Sequence, residues 1–349
     1  MLEKTTDRIK EYLAGYDGPS VNIMEICGSH TEAVARFGIP SLLSDKIKMI
    51  SGPGCPVCVT TSAYIDKLLE LAKEGYVIAT FGDLIRVPGS HSSLSDAKGE
   101  GARVEMVYSP LDVIALSEAD PDSCFVFAAV GFETTTPVYA LLMEELIEKD
   151  IKNVKLLTSL KTMPEVVDEM LKNGAPIDGF LAPGHVSVVT GYEIFEPIAE
   201  KYKMPFAVSG FEGDQILLSI YEVVKNKDQG KVINCYPKVV SAKGNVTAKE
   251  KVGLFFEKCD ASWRGLGTVQ SSGMRLKSEY RDYDAGSDGL DTDEKKNPAC
   301  SCDKVLTGRM RPYECPLYAK VCSPINPQGA CMVSTEGSCY SYFVNKRKD

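Results

Sequence analysis

Two thiols stand three positions apart in the stretch Gly52-Pro53-Gly54-Cys55-Pro56-Val57-Cys58. Its glycines and prolines fix the backbone in turns that other residues adopt poorly. The apolar spacing of residues 62–73 predicts an amphipathic helix directly behind it, with Thr60 or Thr61 as the cap. Exposed N–H groups and the helix dipole at such a position favour the thiolate form of cysteine. The stretch therefore predicts a site of sulfur chemistry, in which the thiols form a disulfide or share a metal.

Outward from this stretch, apolar β-prone runs alternate with helical patterns. The predicted strands are 21–26, 48–51, 76–81, 104–108, 124–130, 154–158, 179–182 and 206–209. The predicted helices between and after them are 62–73, 111–118, 138–149, 164–172, 192–201 and 214–224. Strands separated by helices are typical of parallel sheets, so the predicted fold class is α/β. In such sheets the functional loops follow the carboxyl ends of the strands.

The spacing of the strands predicts two consecutive and similar parallel-sheet α/β domains, over residues 21–118 and 119–226. The first would carry the cysteines of the opening stretch. Residues 1–20 are predicted as an N-terminal helix, for which packing on the C-terminal domain is one option. Residues 227–349 change character, and their cysteine-rich end has little room for a conventional core. We expect a small C-terminal domain there that needs a metal to fold.

The composition is that of an ordinary globular protein: of 349 residues, 44% are hydrophobic and 25% are charged, and the net charge is −9. A nucleic-acid partner usually requires a basic face, which this charge does not indicate. No apolar run reaches the roughly 18 residues of a membrane span, and the N-terminus lacks the apolar core of a signal peptide. We therefore expect a cytoplasmic protein with no nucleic-acid and no membrane partner.

Twelve cysteines are anomalous for such a protein, and they indicate metal or redox use. Cys27 and His30 follow the first predicted strand, where both can point into a cleft. The plain alternative is a buried structural cysteine beside a hydrogen-bonding surface histidine. With Cys55 and Cys58 the two residues would complete a Cys₃His zinc site. A redox dithiol, or a dithiol that cooperates with Cys27 in binding iron, fits the same spacing.

Six of the cysteines crowd into the last fifty residues, on loops punctuated by proline and glycine. Four of them have a spacing suited to a [4Fe–4S] cluster: Cys300, Cys315, Cys322 and Cys339. Cys302 or Cys331 could replace one of these ligands, and zinc is the competing metal. Long irregular spacings fit a cluster better than the paired knuckles of a zinc ribbon. Two separate sulfur sites are therefore predicted.

A third candidate is the loop Gly131-Phe132-Glu133-Thr134-Thr135-Thr136-Pro137, which follows another predicted strand. Its threonines and the amides of the next helix could hold a phosphate or a hydroxyl-bearing ligand. Plain helix capping is favoured on local evidence, with Thr135 or Thr136 as the N-cap and Pro137 at the first helical position.

Together these motifs resemble the HypD family, proteins that help to build the Fe(CN)₂CO unit of [NiFe] hydrogenases. The resemblance runs from about residue 20 to the end and rests on MEICGSH, GPGCPVC, GFETT, APGHVS, WRGLG and CPLYAKVC…GACMVSTEGSCYSY. It implies two similar α/β domains, a third domain with a [4Fe–4S] cluster, and a complex with the small chaperone HypC. That complex would transiently hold an Fe(II) that carries CN and CO. Cyanide would come from HypE, and the hydrogenase large subunit would be an indirect partner.

Carried over residue by residue, Cys27 resembles the family's iron-binding cysteine, which shares the metal with a HypC cysteine. His30 resembles the neighbouring histidine of the same motif. Cys55 and Cys58 resemble the redox-active thiol pair. The cleft loop and the cluster ligands of the family are matched here by Glu133, Thr134, Thr135, Cys300, Cys315, Cys322 and Cys339.

The sequence departs from the family pattern at two positions. Glu32 stands where the motif CGxHxH has its second histidine, so only a carboxylate could hydrogen-bond or move protons there. Thr61 stands where the family often has a proline, which concerns the stiffness of the backbone more than the chemistry.

The resemblance implies a redox-capable assembly scaffold rather than a conventional turnover enzyme. The alternative is a [4Fe–4S]-dependent thiol/disulfide oxidoreductase, in which the tail reduces Cys55 and Cys58 and Cys27 is incidental. A zinc-stabilised binding protein without redox chemistry is a third interpretation.

Overall fold

The computed structural model describes residues 2–345 and contains two β-sheets with helices packed on them. The strands are β1 (Val21–Glu25), β2 (Ile47–Ser51), β3 (Val77–Thr80), β4 (Val104–Met106), β5 (Phe125–Gly131), β6 (Val154–Lys161), β7 (Gly179–Pro183), β8 (Phe206–Ser209), β9 (Val232–Asn234), β10 (Phe256–Trp263) and β11 (Gly267–Leu276). All eight predicted strand runs are strands, so the predicted α/β class is confirmed.

The helices lie between these strands and in the tail. They are α1 (Leu2–Ala14), α2 (Gly28–Arg36), α3 (Ser62–Lys73), α4 (Leu94–Gly99), α5 (Asp112–Ala119), α6 (Thr136–Glu148), α7 (Met163–Lys172), α8 (Gly184–Thr190), α9 (Glu196–Tyr202), α10 (Gly213–Lys225), α11 (Val246–Phe255), α12 (Cys302–Leu306) and α13 (Ser338–Val344). Each predicted helix is present, with ends shifted by a few residues. The pattern missed α2 behind the first strand, because that helix is short and buried on several sides.

The two sheets do not follow the predicted division into residues 21–118 and 119–226. The first sheet has the strand order β2-β1-β7-β8-β9 and is parallel throughout. The second has the order β10-β11-β6-β5-β3-β4, in which β10 and β11 are antiparallel additions to a parallel core. Each sheet therefore takes strands from both predicted domains. The prediction failed because the spacing of strands along the sequence indicates which segments form strands and helices. It does not indicate which strands are neighbours in a sheet.

The predicted C-terminal domain over residues 227–349 is also too long. Strand β9 completes the first sheet, and the β10–β11 hairpin joins the second. The cysteine-rich tail proper begins only near residue 300, and it folds as short helices and turns.

The N-terminal helix α1 packs on the first sheet instead of the C-terminal domain. Ile9 and Leu13 join the buried cluster that contains Ile216 and Ile220 of α10. The ring of Tyr12 meets that of Tyr221, also on α10, in an edge-on contact at 5.1 Å. The apolar stripe of α1 is thus matched to the stripe of α10.

One hydrophobic cluster joins the first sheet to the sulfur residues. It contains Phe180 and Phe206 from neighbouring strands of the first sheet, and it also contains Cys55 and Cys58. The tail cysteines Cys300, Cys302 and Cys331 belong to the same cluster. The sulfur atoms of these cysteines are thus built into an apolar core, which limits the access of water to them. Within residues 2–345, none of the helices has the length and apolar character that crossing a membrane requires.

The aromatic stack of the first sheet provides a test of this core. Phe206 is fully buried, with its ring 4.6 Å from that of Phe180 and 5.5 Å from that of Phe195. Phe206→Ala should lower the free energy of unfolding by about 3–5 kcal/mol, because it removes apolar surface that folding buries and leaves a cavity in its place. The control Leu254→Ala, at a side chain that is 56% exposed, should change it by no more than about 0.5 kcal/mol. Urea denaturation followed by circular dichroism measures both, and equal effects would contradict the assignment.

Candidate thiol and metal site

Cys27 lies directly behind β1, at the N-cap position of α2. The backbone N–H of Gly28 donates to the carbonyl of Gly54 over 2.8 Å, which ties this loop to the stretch of residues 52–58 that carries the cysteine pair. A Cβ atom at Gly54 would lie 2.3 Å from the backbone nitrogen of Cys27, a distance that no side chain tolerates. Residue 54 must therefore be glycine for the loop of Cys27 and the loop of the cysteine pair to meet.

The Cys27 thiol is buried among carboxylates. Glu25 is itself buried and accepts a hydrogen bond from the backbone N–H of Cys27 at 3.3 Å. Glu336 reaches the same place from the tail, where it accepts a hydrogen bond from the Ser29 hydroxyl at 2.9 Å. Burial, with added repulsion from these two carboxylates, raises the pKa of Cys27 to about 12. A thiolate at this position therefore requires a cation beside it, which a metal ion would supply.

Cys55 and Cys58 are joined in a disulfide with a Cα–Cα distance of 5.2 Å, and both are buried. Of the two options that the spacing allowed, the pair takes the disulfide, so the Cys₃His zinc set is not formed. Helix α3 begins behind the pair with Thr61 at its N-cap, as predicted, but without a side-chain capping bond. The Thr61 hydroxyl donates to the carbonyl of Leu290 at 3.0 Å instead.

His30 is completely buried, so the alternative of a surface histidine is wrong. Its Nε2 lies 3.1 Å from the carbonyl of Gly210, and burial lowers its pKa to about 4. The ring stacks at 4.7 Å on Phe211, and His185 stacks on the same ring at 4.0 Å. The two histidines, near the starts of α2 and α8, thus meet through Phe211, an aromatic side chain whose role the sequence did not indicate.

Glu32, at the second histidine position of the motif, does not face Cys27. It pairs with Arg36 at 3.6 Å on the exposed side of α2. A role for this carboxylate at the thiol is therefore not supported by its position.

Glu133 lies between β5 and α6 and faces the start of α7. Its Oε1 accepts a hydrogen bond from the backbone N–H of Met163 at 2.7 Å, and burial raises its pKa to about 7. Thr135 is the N-cap of α6 but makes no side-chain capping bond, and Pro137 is the second helical residue. Thr134 is half-buried in the same loop. Capping explains the position of this loop but not its buried acid.

Three buried side-chain atoms lack a hydrogen-bond partner among residues 2–345. They are Nδ1 of His30, Oε2 of Glu133 and Oγ of Ser187. Each belongs to a different loop or helix start at the carboxyl end of a strand, behind β1, β5 and β7 respectively. Buried polar groups are normally satisfied, so orphaned atoms at these positions indicate a polar ligand or partner.

The six tail cysteines surround one small cavity. It is lined by Cys300, Cys302, Cys315, Cys322, Cys331 and Cys339, together with Leu317, Tyr318 and Met332. The Sγ atoms of Cys300 and Cys302 both lie next to Gly329, at 2.8 and 3.4 Å from the position that a Cβ atom would take there. The cavity therefore brings together the four predicted ligands and both predicted substitutes, and it does not discriminate between them.

In the described part of the chain, no three acidic, histidine or cysteine side chains are arranged to hold a single metal ion. A four-iron cluster binds one thiolate on each iron, so its ligands need not converge on one point. Six soft thiols around one apolar cavity match the donor set of such a cluster.

The tail also fastens the loops of the two sheets to each other. The Ser334 hydroxyl donates to Asp83 at 3.0 Å, behind β3 of the second sheet, and Glu336 holds Ser29 behind β1 of the first. Cys58 Sγ lies 4.0 Å from the carbonyl oxygen of Ala330, the residue before Cys331. The disulfide and the cysteine-rich cavity are thus neighbours. Glu336 is a site residue that the sequence could not have revealed, because it meets Ser29 across 307 positions.

The fold and the site define an α/β protein with a buried free thiol and a disulfide at its strand-exit loops, next to a cavity of six cysteines. The HypD family model, described as the hydrogenase formation hypA family, matches residues 1–346. The chain therefore belongs to the HypD family of hydrogenase maturation factors.

Three relatives show how much of the chain this similarity covers. A hydrogenase maturation factor HypD1 of Bradyrhizobium diazoefficiens is 41% identical over 93% of this chain and 89% of its own length. A putative hydrogenase expression/formation protein of Methanocaldococcus jannaschii is 39% identical over 99% of this chain and 98% of its own length. The hydrogenase maturation factor HypD of Escherichia coli K12 is 38% identical over 94% of this chain and 90% of its own length.

The raised pKa of Glu133 gives a pH-dependent prediction. Below its ordinary pKa of 4.5 the carboxyl is protonated in both the folded and the unfolded state, so it does not lower the free energy of unfolding. As the pH rises to about 7 the unfolded chain ionises first, so the wild type loses stability. Glu133→Gln keeps the acceptor for Met163 and cannot ionise, so it should gain on the order of 2–3 kcal/mol over the wild type across this interval.

Urea denaturation between pH 4 and 8 measures this difference. Glu148→Gln, on the exposed side of α6, is the control and should stay within about 0.5 kcal/mol of the wild type at every pH. A difference between Glu133→Gln and the wild type that does not change with pH would show that the carboxyl is not buried as described.

Proposed function

We propose that this chain, together with a HypC-like chaperone, is the scaffold that binds iron and assembles the Fe(CN)₂CO unit of [NiFe] hydrogenase. The observation that best supports this function is Cys27, a buried free thiol held by glycine-dependent loop packing beside a disulfide. The proposal also explains why polar atoms in this region are left without partners.

Iron is the cargo in this proposal, and Cys27 is the ligand that the chain contributes. Fe(II) would replace the thiol proton, and the positive charge would offset the two carboxylates that make the thiolate unfavourable. Glu336 is suited to accept that proton, because burial raises its pKa above that of an ordinary glutamate. A thiolate from the partner chaperone would complete a soft ligand set, which suits an iron that carries CN and CO.

His30 can serve the same iron or its ligands through one nitrogen. Since the carbonyl of Gly210 can only accept, Nε2 carries the hydrogen and Nδ1 is left as a neutral acceptor. That Nδ1 is one of the orphaned buried atoms. The lowered pKa keeps the ring uncharged at neutral pH, so His30 does not repel an incoming cation.

The disulfide supplies the redox capability. Its reduction takes two electrons and two protons and gives the thiols of Cys55 and Cys58. The tail cysteines Cys300, Cys315, Cys322 and Cys339 would hold a [4Fe–4S] cluster, with Cys302 or Cys331 as a replacement. Such a cluster would supply electrons in the neighbourhood of the pair. The contact of Cys58 with Ala330 and the shared hydrophobic cluster support this arrangement.

A HypE-like donor would deliver cyanide, and the hydrogenase large subunit would receive the finished group indirectly. The names of the relatives refer to hydrogenase maturation and formation, in agreement with this position in assembly. A cytoplasmic location remains a prediction from the sequence.

The second candidate function is a [4Fe–4S]-dependent thiol/disulfide oxidoreductase. It is favoured by one observation, the proximity of the buried disulfide to the cysteine-rich cavity. It assigns no role to Cys27, so the two functions differ in what that residue does.

Removing the Cys27 thiol separates the two functions. In anaerobic co-purification with a HypC-like chaperone, the wild type should carry iron beyond the four atoms of a cluster and show cyanide and carbonyl bands in the infrared. Cys27→Ala should lose both the extra iron and the bands but keep the tail iron. Cys124→Ala, which removes an exposed thiol, should behave as the wild type. Retention of extra iron in Cys27→Ala would favour the oxidoreductase.

The tail cavity has its own test. Cys315→Ser should remove or weaken a cluster, because it takes away one thiolate ligand, and the brown colour and iron content should fall while Cys124→Ala keeps both. Quantitation of iron and zinc in anaerobically purified protein measures this. A colourless wild type that contains zinc alone would rule out the cluster and with it both redox functions.

A further inference from the structure

A second cavity lies on the second sheet, and none of the cysteines of the candidate site lines it. Its volume is about 390 Å³, and its walls come from β6, from the β10–β11 hairpin and from the loop of residues 287–291. This volume lies in the range of small-molecule sites. The lining is mostly polar, which is unusual for a void left by imperfect packing.

The strand register explains how the floor of this cavity is built. Lys161 of β6 lies opposite Gly273 of β11, and Gly273 lies opposite Cys259 of β10. Residues that are opposite one another on neighbouring strands share a face of the sheet. Because Gly273 has no side chain, Lys161 has no neighbour on β11 in its own row. The register shifts directly afterwards, between Cys259 and Ala261, and such bulges are common beside functional sites.

Lys161 is the charged group of this floor, and it is only 4% exposed. Its Nζ donates to the Ser159 hydroxyl at 2.8 Å and lies 5.9 Å from the centre of the Trp263 ring. An ammonium has three donors, and no carboxylate pairs with this one among the described residues. Burial lowers the pKa of Lys161 to about 8. Because a buried charge is costly unless it is paired, a negative group of a ligand would stabilise this ammonium.

The opposite wall is acidic and fixed in place. The loop of residues 287–291 is held by hydrogen bonds from the backbone N–H of Thr158 to the Ser287 hydroxyl at 2.8 Å and from Thr61 to the carbonyl of Leu290 at 3.0 Å. It carries Asp288, an exposed carboxylate that also lines the cavity.

Other charges in the lining already have partners. Asp260 accepts from the backbone N–H of Ser271 at 2.9 Å, and Asp291 accepts from the Ser262 hydroxyl at 3.1 Å. Arg275 also lines the cavity, but it is paired at 3.0 Å with Glu257, which does not line it. Asp288 also attracts Arg275, but the ion pair of Arg275 is with Glu257. Lys161 is therefore the buried charge of the lining without an ion-pair partner, and Asp288 is the exposed carboxylate that a ligand can approach.

We propose that this cavity binds a small molecule that carries both a carboxylate and an ammonium group, a member of the free amino acid class. The carboxylate pairs with Lys161 on the floor, and the ammonium faces Asp288 on the wall. A simple anion would meet the aspartates of the lining, and a simple cation would meet Lys161. A zwitterion satisfies both charges at once, and the hydroxyl groups of the lining offer further hydrogen bonds.

Isothermal titration of the full-length protein with each of the proteinogenic amino acids tests this proposal. At least one of them should bind the wild type, and acetate, ethylamine and inorganic phosphate should each bind about tenfold or more weakly. Lys161→Met and Asp288→Asn should each weaken binding of that amino acid by about tenfold or more. Lys155→Met, which removes a half-buried lysine from the same strand, should bind as the wild type does.

Three outcomes would overturn the proposal: no amino acid binds, acetate or phosphate binds as tightly as the best amino acid, or both charge variants retain wild-type affinity. Replacing a buried charge by an apolar side chain of similar volume is often neutral or stabilising, so Lys161→Met is expected to fold. If circular dichroism shows that it does not, Asp288→Asn carries the test, because it changes only an exposed loop.

Discussion

The close approach of Gly54 to the backbone of Cys27 is the contact on which the rest of the site depends. A side chain at this position would lie 2.3 Å from the Cys27 nitrogen and would push the two loops apart. A second glycine, Gly28, allows Glu336 to approach in the same manner. A Cβ atom added at Gly28 would lie 2.4 Å from the Cβ of Glu336. Three loops that are distant in sequence thus meet because two of them present bare backbone. The burial of the thiol and its high pKa both follow from this packing.

The chain passes between the two sheets at three places: between β2 and β3, between β6 and β7, and between β9 and β10. The cysteine pair lies in the first of these passages. Glu133 contacts the second passage, since it binds the backbone of Met163 at the start of α7. The disulfide and the backbone that Glu133 binds are therefore located where the two sheets are covalently connected. A change at the disulfide would act on a segment that belongs to both sheets.

The sequence predicted the elements well and their arrangement poorly. Every apolar run became a strand, because parallel strands buried on both faces are continuous in hydrophobicity. For the same reason the runs look alike, and nothing in β1 indicates that its neighbour is β7 rather than β3. The cysteine spacing indicated a disulfide or a metal site but could not reveal the carboxylates around Cys27. The burial of His30 was also hidden, since it depends on Gly210 and Phe211 from the loop behind β8, far along the chain.

The interleaved strand order has a consequence for the synthesis of the chain. Strand β1 cannot complete its hydrogen-bonded pairing until β7 has been synthesised. The backbone N–H of Asn22 donates a hydrogen bond to the carboxylate of Asp178, 156 positions later. At roughly 5–20 residues per second, the ribosome exposes Cys27 and the cysteine pair for many seconds before their sheet can close. Glu336, which packs on Gly28 beside Cys27, is translated 307 positions after its hydrogen-bond partner Ser29. The nascent chain therefore presents open thiols to the cell until the segment that carries Glu336 has been made, and only then can the pocket around Cys27 close.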